Sequence, residues 1–159
     1  MFRVGLGFDV HAFAKDRDLY LGGVKIDSEL GLLGHSDADV LLHAITDAVL
    51  GAACAGDIGE LFPDNDPSYK NIRSTILLSR ALEKVKAKGF IVVNCDAVIM
   101  CEQPKILPYR EKIRESVANL LEIGIDCVMI KGKTTEKLGF TGRGEGMASQ
   151  VVVLIRKSL

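Results

Sequence analysis

The chain has 159 residues, of which 48% are hydrophobic and 26% are charged. This balance is typical of a folded globular protein and excludes a disordered chain, and the length fits one domain spanning residues 1–159. The 20 basic and 21 acidic side chains give a net charge of -1, which argues against nucleic acid or an anionic membrane as a partner. One small domain leaves no cleft between large domains, so an enzyme of this size must form its cleft elsewhere.

Cysteine usage and apolar runs bear on the cellular setting. None of the four cysteines belongs to a C-x-x-C pair, and each lies in an apolar stretch: Cys54, Cys95, Cys101 and Cys127. Free cysteines in such stretches behave as small buried hydrophobes and indicate a reducing compartment. The N-terminal residues reach Asp9 and His11 too early for a secretory signal, and no apolar run approaches the roughly 20 residues that a membrane helix needs. We therefore expect a cytoplasmic protein.

In the first half of the chain, the pattern of apolar residues predicts a strand, a hairpin of two strands and a helix, in this order: 2–8, 19–21, 24–26 and 38–51. Gly5 and Gly7 in the first strand allow another backbone to approach closely. Gly22 and Gly23 give the hairpin its two-residue turn. The hydroxyl of Ser36 can cap the helix that follows.

The second half begins with a polar loop at 56–67 that prolines interrupt, and long loops of this kind are often functional. After it, the pattern predicts a helix, a strand, a helix and two strands: 72–88, 90–100, 104–121, 128–133 and 147–155. Strands and helices alternate without a strict order, so we predict an α+β fold with a mixed sheet and helices mainly on one face. We expect the last strand, rich in Val and Ile, to lie centrally or at a subunit contact.

The histidines lie close together in the sequence, at His11, His35 and His43. Asp9 and His11 are two residues apart on a predicted strand, so their side chains point the same way and can converge on one ion. His43, on the predicted helix, could supply a third ligand. Two histidines and one carboxylate leave an open coordination position, which is the catalytic rather than the structural zinc pattern. The alternative for Asp9 and His11 is a helix cap or a hydrogen-bonded surface pair.

Two acids flank His43 at a spacing of four residues, namely Asp39 and Asp47. Both therefore lie on the same face of the predicted helix as His43. One of them could accept a hydrogen bond from the ring N–H of His43 that does not face the metal, because carboxylates commonly orient metal-bound imidazoles in this way.

Two further segments could bind phosphate. Residues 134–137 (TTEK) end a predicted strand, and their hydroxyls and lysine can donate to phosphate oxygens while Glu136 holds Mg²⁺. Residues 101–105 open the predicted third helix, where free N–H groups and Lys105 suit an anion. The alternatives are a solvated turn and an ordinary helix start with a surface lysine. The glycine-rich stretches match neither the dinucleotide-binding nor the Walker pattern.

Several blocks of residues follow one another along the whole chain: Gly7-Phe8-Asp9-Val10-His11, Gly22-Gly23-Val24, His35-Ser36-Asp37-Ala38-Asp39-Val40 with His43-Ala44, Asp57-Ile58-Gly59, Phe62-Pro63-Asp64 with Asp66-Pro67, Pro104-Lys105, and TTEKLGFTGRGEG at 134–146. In these blocks and their order, the chain resembles the 2-C-methyl-D-erythritol 2,4-cyclodiphosphate synthase family over essentially its full length. The resemblance implies a homotrimer whose active sites lie between adjacent subunits.

The resemblance implies a lyase of isoprenoid precursor biosynthesis by the non-mevalonate pathway. Its reaction is a metal-dependent intramolecular phosphoryl transfer that converts 4-diphosphocytidyl-2-C-methyl-D-erythritol 2-phosphate to 2-C-methyl-D-erythritol 2,4-cyclodiphosphate and releases CMP. The implied zinc ligands are Asp9, His11 and His43. Glu136 would bind a second ion, Mg²⁺ or Mn²⁺, that bridges the substrate diphosphate, while His35 and Thr134 would orient the phosphates as catalytic residues.

The resemblance also implies which residues contact the substrate. Those near the zinc site are Asp9, Val10, His11, His35 and Ser36. Those around the methylerythritol part are Asp57, Ile58, Gly59, Phe62, Pro63, Asp64, Asn65 and Asp66. Those that form the cytidine pocket of the neighbouring subunit are Cys101, Glu102, Gln103, Pro104, Lys105, Ile106, Leu107, Lys133, Thr134 and Thr135. Glu136, Phe140 and Arg143 complete the set. A central cavity of the trimer, where an isoprenoid diphosphate can bind, would be lined by Phe8, Arg143 and Glu145.

Two positions depart from the family pattern, and both touch the nucleotide pocket. Lys133 stands where a small or hydroxyl residue is common, and Cys101-Glu102-Gln103 replaces a small, apolar approach to Pro104-Lys105. Two other functions stay open on the residues alone: a non-catalytic trimeric binder of metal or isoprenoid diphosphate, and a metal-dependent phosphohydrolase built on the same Asp/His site.

Overall fold

The computed structural model of the protein describes residues 1–63, 65, 67–69 and 71–158. The strands in these residues are β1 (Phe2–Ala14), β2 (Leu19–Leu21), β3 (Val24–Ile26), β4 (Gly31–Leu32), β5 (Phe90–Met100), β6 (Val128–Lys133) and β7 (Gly146–Lys157). The α-helices are α1 (Val40–Ala52), α2 (Ile58–Leu61), α3 (Ser74–Ala87), α4 (Arg110–Leu121) and α5 (Gly139–Gly142). Short 3₁₀ turns lie at Pro67–Tyr69, Leu107–Tyr109 and Ile125–Cys127.

The main sheet has the strand order β4-β1-β7-β5-β6, and β2 pairs with β3 in a separate hairpin. β5 and β6 run parallel, whereas the other neighbours in the main sheet are antiparallel. The sheet is therefore mixed, as predicted. β7 pairs with β1 on one side and β5 on the other, which confirms the central position expected for the last strand.

The helices cover one face of the main sheet. α1 packs against β1 and β7, α3 packs beside α1 and against β5, and α4 packs beside α3 and against β6. Buried leucine, isoleucine and valine side chains from these elements form one core between the helices and the sheet. On β1 the two faces differ, because Gly5 and Gly7 are buried whereas Leu6 and Phe8 are 60% and 55% exposed. The predicted α+β fold with helices mainly on one face is confirmed.

Gly5 and Gly7 allow α1 to lie directly on β1. A Cβ atom added at Gly5 would come within 1.9 Å of the Ala48 carbonyl oxygen, and one at Gly7 within 1.8 Å of the Ala44 carbonyl oxygen. Side chains are therefore excluded at both positions, and the close backbone approach that these glycines predict is confirmed. This contact places the first turns of α1 beside the second half of β1.

Three boundaries differ from the sequence-based expectation. β1 continues to Ala14 because its second half pairs with β7 and then with β4. The residue that caps α1 is Asp39 rather than Ser36, since an Asp39 carboxylate oxygen accepts the Leu42 N–H at 3.0 Å. The third long helix begins at Arg110 rather than at residue 104. Leu107–Tyr109 form a 3₁₀ turn in its place, and before them the Cys101 N–H donates to the Lys133 carbonyl at 3.0 Å and prolongs the β5–β6 pairing.

The remaining elements agree with the sequence pattern to within two residues, and the two long loops contain short helices. The hairpin, β5 and β6 begin and end where predicted. α2 interrupts the polar loop at 56–67, where the Asp57 carboxylate accepts the Glu60 N–H at 2.8 Å and so starts a helical turn. Among the described residues, no helix combines the length and apolar character needed to cross a membrane.

Candidate active site

Asp9, His11 and His43 meet at the contact between β1 and α1. Oδ2 of Asp9 lies 3.0 Å from Nε2 of His11 and 3.0 Å from Nδ1 of His43, and the two nitrogens are 3.1 Å apart. The three ligand atoms all lie within 4.8 Å of one another, and the described part of the chain contains no second group of this kind. Two imidazole nitrogens and a carboxylate oxygen suit a divalent metal ion, so this group is consistent with a divalent metal site.

The hydrogen bonds behind the two rings decide which nitrogen faces the metal site. Nδ1 of His11 lies 2.7 Å from the Leu33 carbonyl oxygen, so Nδ1 carries the proton and leaves the Nε2 lone pair free. Nε2 of His43 lies 3.0 Å from the Ser36 hydroxyl and 2.9 Å from the Ser74 hydroxyl. His43 can therefore keep its proton on Nε2 and present the Nδ1 lone pair to a metal.

Hydrogen bonds and charges within the group shift the pKa values of Asp9 and His11. Burial would raise the pKa of Asp9, but hydrogen bonds and charges from His11 and His43 outweigh burial and lower this pKa to about 2. Burial also lowers the pKa of His11, but the hydrogen bond and charge of Asp9 outweigh it and raise this pKa above its usual value. Asp9 therefore stays ionised at neutral pH, and in the metal-free protein it favours a proton on His11.

Neither acid that flanks His43 contacts the ring nitrogen behind it, so that expectation is wrong. The buried Asp39 carboxylate accepts the N–H groups of Gly22 and Gly23 at 3.0 and 2.7 Å, besides capping α1. Burial raises the pKa of Asp39 to about 6, against the opposing effect of these backbone hydrogen bonds. Asp47 accepts the Ile58 N–H at 2.8 Å. Both acids therefore accept hydrogen bonds from nearby backbone N–H groups, and the groups that lie beside Nε2 of His43 are serine hydroxyls.

A cavity of about 290 Å³ opens beside the three ligands. The predicted substrate-contacting residues that line it are Asp9, His11, His35, Ser36, Ile58, Gly59 and Phe62. Sequence reasoning missed four further lining residues: Gly34, Tyr69, Ile72 and Leu77. Of these, only Gly34 carries a sequence signal, because it directly precedes His35. Asp57 caps α2 instead of lining the cavity.

A second cavity, of about 120 Å³, lies where the segment after β5 passes the end of β6. Seven of the residues predicted for the cytidine pocket line it: Cys101, Pro104, Lys105, Ile106, Leu107, Lys133 and Thr134. Arg110 and Gly132 line it too, and sequence reasoning missed both. The Nε atom of Arg110 is buried and finds no acceptor among the described residues. In the described part of the chain, this cavity shares no lining residue with the cavity beside His43.

The turn after β6 carries Thr134 and Glu136. The Thr134 hydroxyl donates to a Glu136 carboxylate oxygen at 2.9 Å. Glu136 and Lys137 both have left-handed backbone conformations, with φ of 53° and 63°. The Glu102 carboxylate accepts the N–H groups of Thr135 and Lys137 at 3.2 and 3.3 Å, which ties the turn to the segment after β5. Glu136 lies outside the Asp9–His11–His43 group.

The other predicted site residues lie at the surface. Those exposed to solvent are Phe8, Val10, Pro63, Asn65, Gln103, Phe140, Arg143 and Glu145. Arg143 and Glu145 form an ion pair, with Nε and Oε1 2.7 Å apart. The predicted substrate contacts Asp64 and Asp66 lie outside the described residues.

Known proteins match this chain in sequence and in structure over nearly its whole length. The family model of the YgbB family matches residues 2–156. A 2-C-methyl-D-erythritol 2,4-cyclodiphosphate synthase of Bacillus cytotoxicus is 55% identical over 157 residues, or 99% of either chain. The solved bifunctional IspDF of Campylobacter jejuni is 44% identical with a TM-score of 0.95, and the match covers 99% of this chain and 42% of that longer one. A 2C-methyl-D-erythritol-2,4-cyclodiphosphate synthase solved with CDP is 37% identical over 97% of this chain and 100% of that one, with a TM-score of 0.89.

Proposed function

The chain belongs to the YgbB family, and we propose that it converts 4-diphosphocytidyl-2-C-methyl-D-erythritol 2-phosphate to 2-C-methyl-D-erythritol 2,4-cyclodiphosphate with release of CMP. The observation that carries this function is the group of Asp9, His11 and His43 beside the larger cavity. It occurs in a chain that matches named synthases over 99% of its length. The reaction belongs to isoprenoid precursor biosynthesis by the non-mevalonate pathway.

The reaction is difficult mainly because both reacting groups are anions. An oxygen of the 2-phosphate attacks the β-phosphorus, a new P–O bond closes the ring, and the bond from the β-phosphorus to the CMP oxygen breaks. Asp9, His11 and His43 would hold zinc, which when bound offsets phosphate charge and polarises a phosphate oxygen. His35 and Thr134 orient the phosphates, so the attack occurs within one folded-back substrate. Glu136 holds the second ion, Mg²⁺ or Mn²⁺.

The two cavities divide the substrate between them. The larger one, with Ile58, Gly59 and Phe62 in its wall, takes the methylerythritol part next to the metal group. The smaller one has three cationic side chains in its wall, from Lys105, Arg110 and Lys133, and takes the cytidine end. Positive charge suits a nucleotide that carries phosphate. Backbone groups of residues 101–107 and 133–135 supply the remaining contacts to the base.

We infer a homotrimer because the two cavities share no wall residue among those described and because one face of the sheet is apolar and exposed. The exposed apolar side chains of this face alternate along β1 and are Phe2, Val4, Leu6, Phe8 and Val10. An apolar face of this kind favours burial against other copies of the chain. Each active site then combines the larger cavity of one subunit with the smaller cavity of its neighbour. Phe8, Arg143 and Glu145 line a central cavity that suits an isoprenoid diphosphate.

We propose that residues 1–159 act as one domain and that the protein works in the cytoplasm. The YgbB match spans residues 2–156, and one core joins the helices to the main sheet. The cysteines are free thiols, which suits a reducing compartment, but only Cys95 and Cys101 are buried as expected, whereas Cys54 is exposed and Cys127 half-buried.

One assay separates this function from its alternatives. The protein is incubated with the cytidyl substrate and Mg²⁺, and phosphorus resonances are followed. A cyclic diphosphate together with CMP supports the synthase. Free inorganic phosphate supports a phosphohydrolase, and unchanged substrate supports a binding protein, so either result contradicts the proposal.

Two histidine variants separate metal binding from catalysis in the same assay. His43→Ala removes a proposed zinc ligand, so both bound zinc and CMP release are lost. His35→Ala removes a residue of the same cavity that does not belong to the three-ligand group, so zinc is retained while CMP release falls. Full activity of a zinc-free His43→Ala protein would show that the metal assignment is wrong.

A further inference from the structure

His43 has two hydroxyl neighbours on the side of the ring that faces away from Asp9. Nε2 lies 2.9 Å from the Ser74 hydroxyl and 3.0 Å from the Ser36 hydroxyl. When Nδ1 binds a metal, the ring proton sits on Nε2 and needs an acceptor. The two serines are the acceptors within reach, and they differ in what lies behind them.

The hydroxyl of Ser74 is directed by Asp37. It donates to Oδ1 of Asp37 in a short hydrogen bond, while the Ser74 N–H donates to Oδ2 at 3.1 Å. Because the hydroxyl proton points to the carboxylate, an oxygen lone pair is left to face His43. The Ser36 oxygen instead accepts the Ala38 N–H at 3.1 Å and lies 3.4 Å from the Ser74 oxygen. Ser74 therefore links His43 to a carboxylate, and Ser36 lacks such a link among the described residues.

The surroundings hold this chain of hydrogen bonds in place. Ser74 is 0% exposed and the Asp37 side chain is 7% exposed. Arg73 Nε donates to Oδ2 of Asp37 at 3.0 Å, and the Arg73 guanidinium lies 4.2 Å from the centre of the Tyr20 ring. Hydrogen bonds that end on a charged group are stronger in buried surroundings than in water. The Asp37 carboxylate is thus held in place by Ser74, the first residue of α3, and by Arg73, which precedes it.

We propose that Ser74 and Asp37 are positioning residues for the metal site, forming a relay in which His43 Nε2–H donates to Ser74 and Ser74 donates to Asp37. The relay fixes the tautomer and the orientation of the His43 ring, and it strengthens Nδ1 as a ligand by drawing the Nε2 proton toward a carboxylate. It ties the start of α3 to the metal site from behind, without contact between Ser74 and the substrate. This inference rests on the proposed zinc site.

Zinc affinity measured by competition with a coloured chelator tests the relay without reference to activity. Ser74→Ala should weaken zinc binding by about 10-fold to 100-fold, the usual effect of removing the partner of a metal-bound histidine. Asp37→Asn, which keeps the shape of the side chain, should weaken it in the same direction. The double variant should bind zinc about as weakly as Ser74→Ala alone, because Asp37 acts through Ser74. Ser116→Ala is the matched control, since it deletes a hydroxyl that donates to the Gly22 carbonyl away from the site.

A second readout follows the His43 ring itself. Nitrogen NMR of the zinc-bound protein should show the proton on Nε2, with a resonance that moves in Ser74→Ala and not in Ser116→Ala. Zinc affinity of a folded Ser74→Ala protein equal to that of Ser116→Ala would overturn the relay, and so would additive losses in the double variant. If Ser74→Ala does not fold, unchanged zinc affinity and an unchanged His43 resonance in Asp37→Asn overturn it equally. Failure of the unaltered protein to bind zinc would instead contradict the proposed metal site, and the relay with it.

Discussion

His11 and His43 turn different ring nitrogens toward Asp9, and what lies behind each ring determines which one. Behind His11 is the Leu33 carbonyl oxygen, 2.7 Å from Nδ1, and a carbonyl oxygen can only accept a hydrogen bond and never donate one. Behind His43 are hydroxyls, which can do either. The His11 ring is therefore fixed by a neutral backbone group and the His43 ring by the link to Asp37. Two ligands of the same residue type are thus held by different chemistry.

Zinc affinity should depend on pH through His11. Its pKa is raised above 6.5 by Asp9, so as the pH falls through this raised value, a proton occupies Nε2 and must leave before zinc binds. The dissociation constant should be constant at high pH and should bend upward as the pH falls, rising by at least about tenfold per pH unit below the bend because at least one proton must be displaced. Chelator competition between about pH 5.5 and 8.5 measures this profile.

Asp9→Asn separates the proton effect from simple loss of a ligand. The variant binds zinc more weakly throughout, because a ligand is lost. In addition, its bend should move to lower pH, since the hydrogen bond and charge that raise the pKa of His11 are gone. A profile that is flat in the unaltered protein, or a bend that stays in place in Asp9→Asn, would contradict this account.

At the scale of elements, the metal site depends on how closely α1 approaches β1. Gly7→Ala should destabilise the fold by about 3 kcal/mol or more and weaken zinc binding, because the new Cβ would lie 1.8 Å from the Ala44 carbonyl oxygen and would push α1, with His43, away from Asp9. Urea unfolding and zinc competition measure the two effects. Gly51→Ala is the control: it lies on α1 with open space around its Cβ position and should leave zinc binding unchanged. Equal behaviour of the two variants would rule out the packing argument.

The turn that carries Glu136 depends on a carboxylate from another segment. Glu102→Ala should raise the Mg²⁺ concentration needed for half-maximal CMP release by about 3-fold to 10-fold, because the Thr135 and Lys137 amides lose their acceptor and the left-handed turn loosens. Glu102→Gln keeps one acceptor oxygen for both amides and should behave like the unaltered protein. Zinc content should stay the same in both. A glutamine variant as impaired as the alanine variant would show that charge, and not the hydrogen bonds, is what matters at this position.

The sequence predicted best those features that depend on neighbours in the chain. The turn at Gly22 and Gly23 follows from backbone freedom at two adjacent residues, and the convergence of Asp9 and His11 follows from strand alternation. That Cys101 continues the sheet and does not lead directly into α4 could not be predicted in this way, because it depends on a hydrogen bond to Lys133 of a later strand.

The same limit applies to the candidate site. His43 was predicted as a partner of Asp9 and His11 because the histidines lie close together in the sequence. The contact of His43 with Ser74 could not be predicted, since it depends on where α3 lies against α1. Helical spacing indicated Asp39 and Asp47 instead. Both acids instead accept hydrogen bonds from backbone N–H groups. Asp39 does so because it lies at the start of α1, where the first N–H groups have no acceptor within the helix.

At the scale of the whole molecule, the proposed trimer resolves a problem of size. In the described part of the 159-residue chain, the metal group and the predicted cytidine pocket lie at two separate cavities, of about 290 and 120 Å³. Burial of the exposed apolar face of β1 favours association of three copies. In the proposed trimer, the larger cavity of each subunit then lies against the smaller cavity of its neighbour. The cleft that a single small domain lacks is then the boundary between subunits.

Shared active sites lead to a complementation prediction. His43→Ala damages the metal half of a site, and Thr134→Ala damages the nucleotide half, so each trimer is inactive alone. When the two variants are mixed and reassembled, about one quarter of the sites should combine two intact halves and CMP release should return to that extent. Mixing His43→Ala with His11→Ala is the control, because both changes damage the same half and no site is restored. If native mass spectrometry shows mixed trimers of His43→Ala and Thr134→Ala that release no CMP, the metal and nucleotide halves do not come from different subunits.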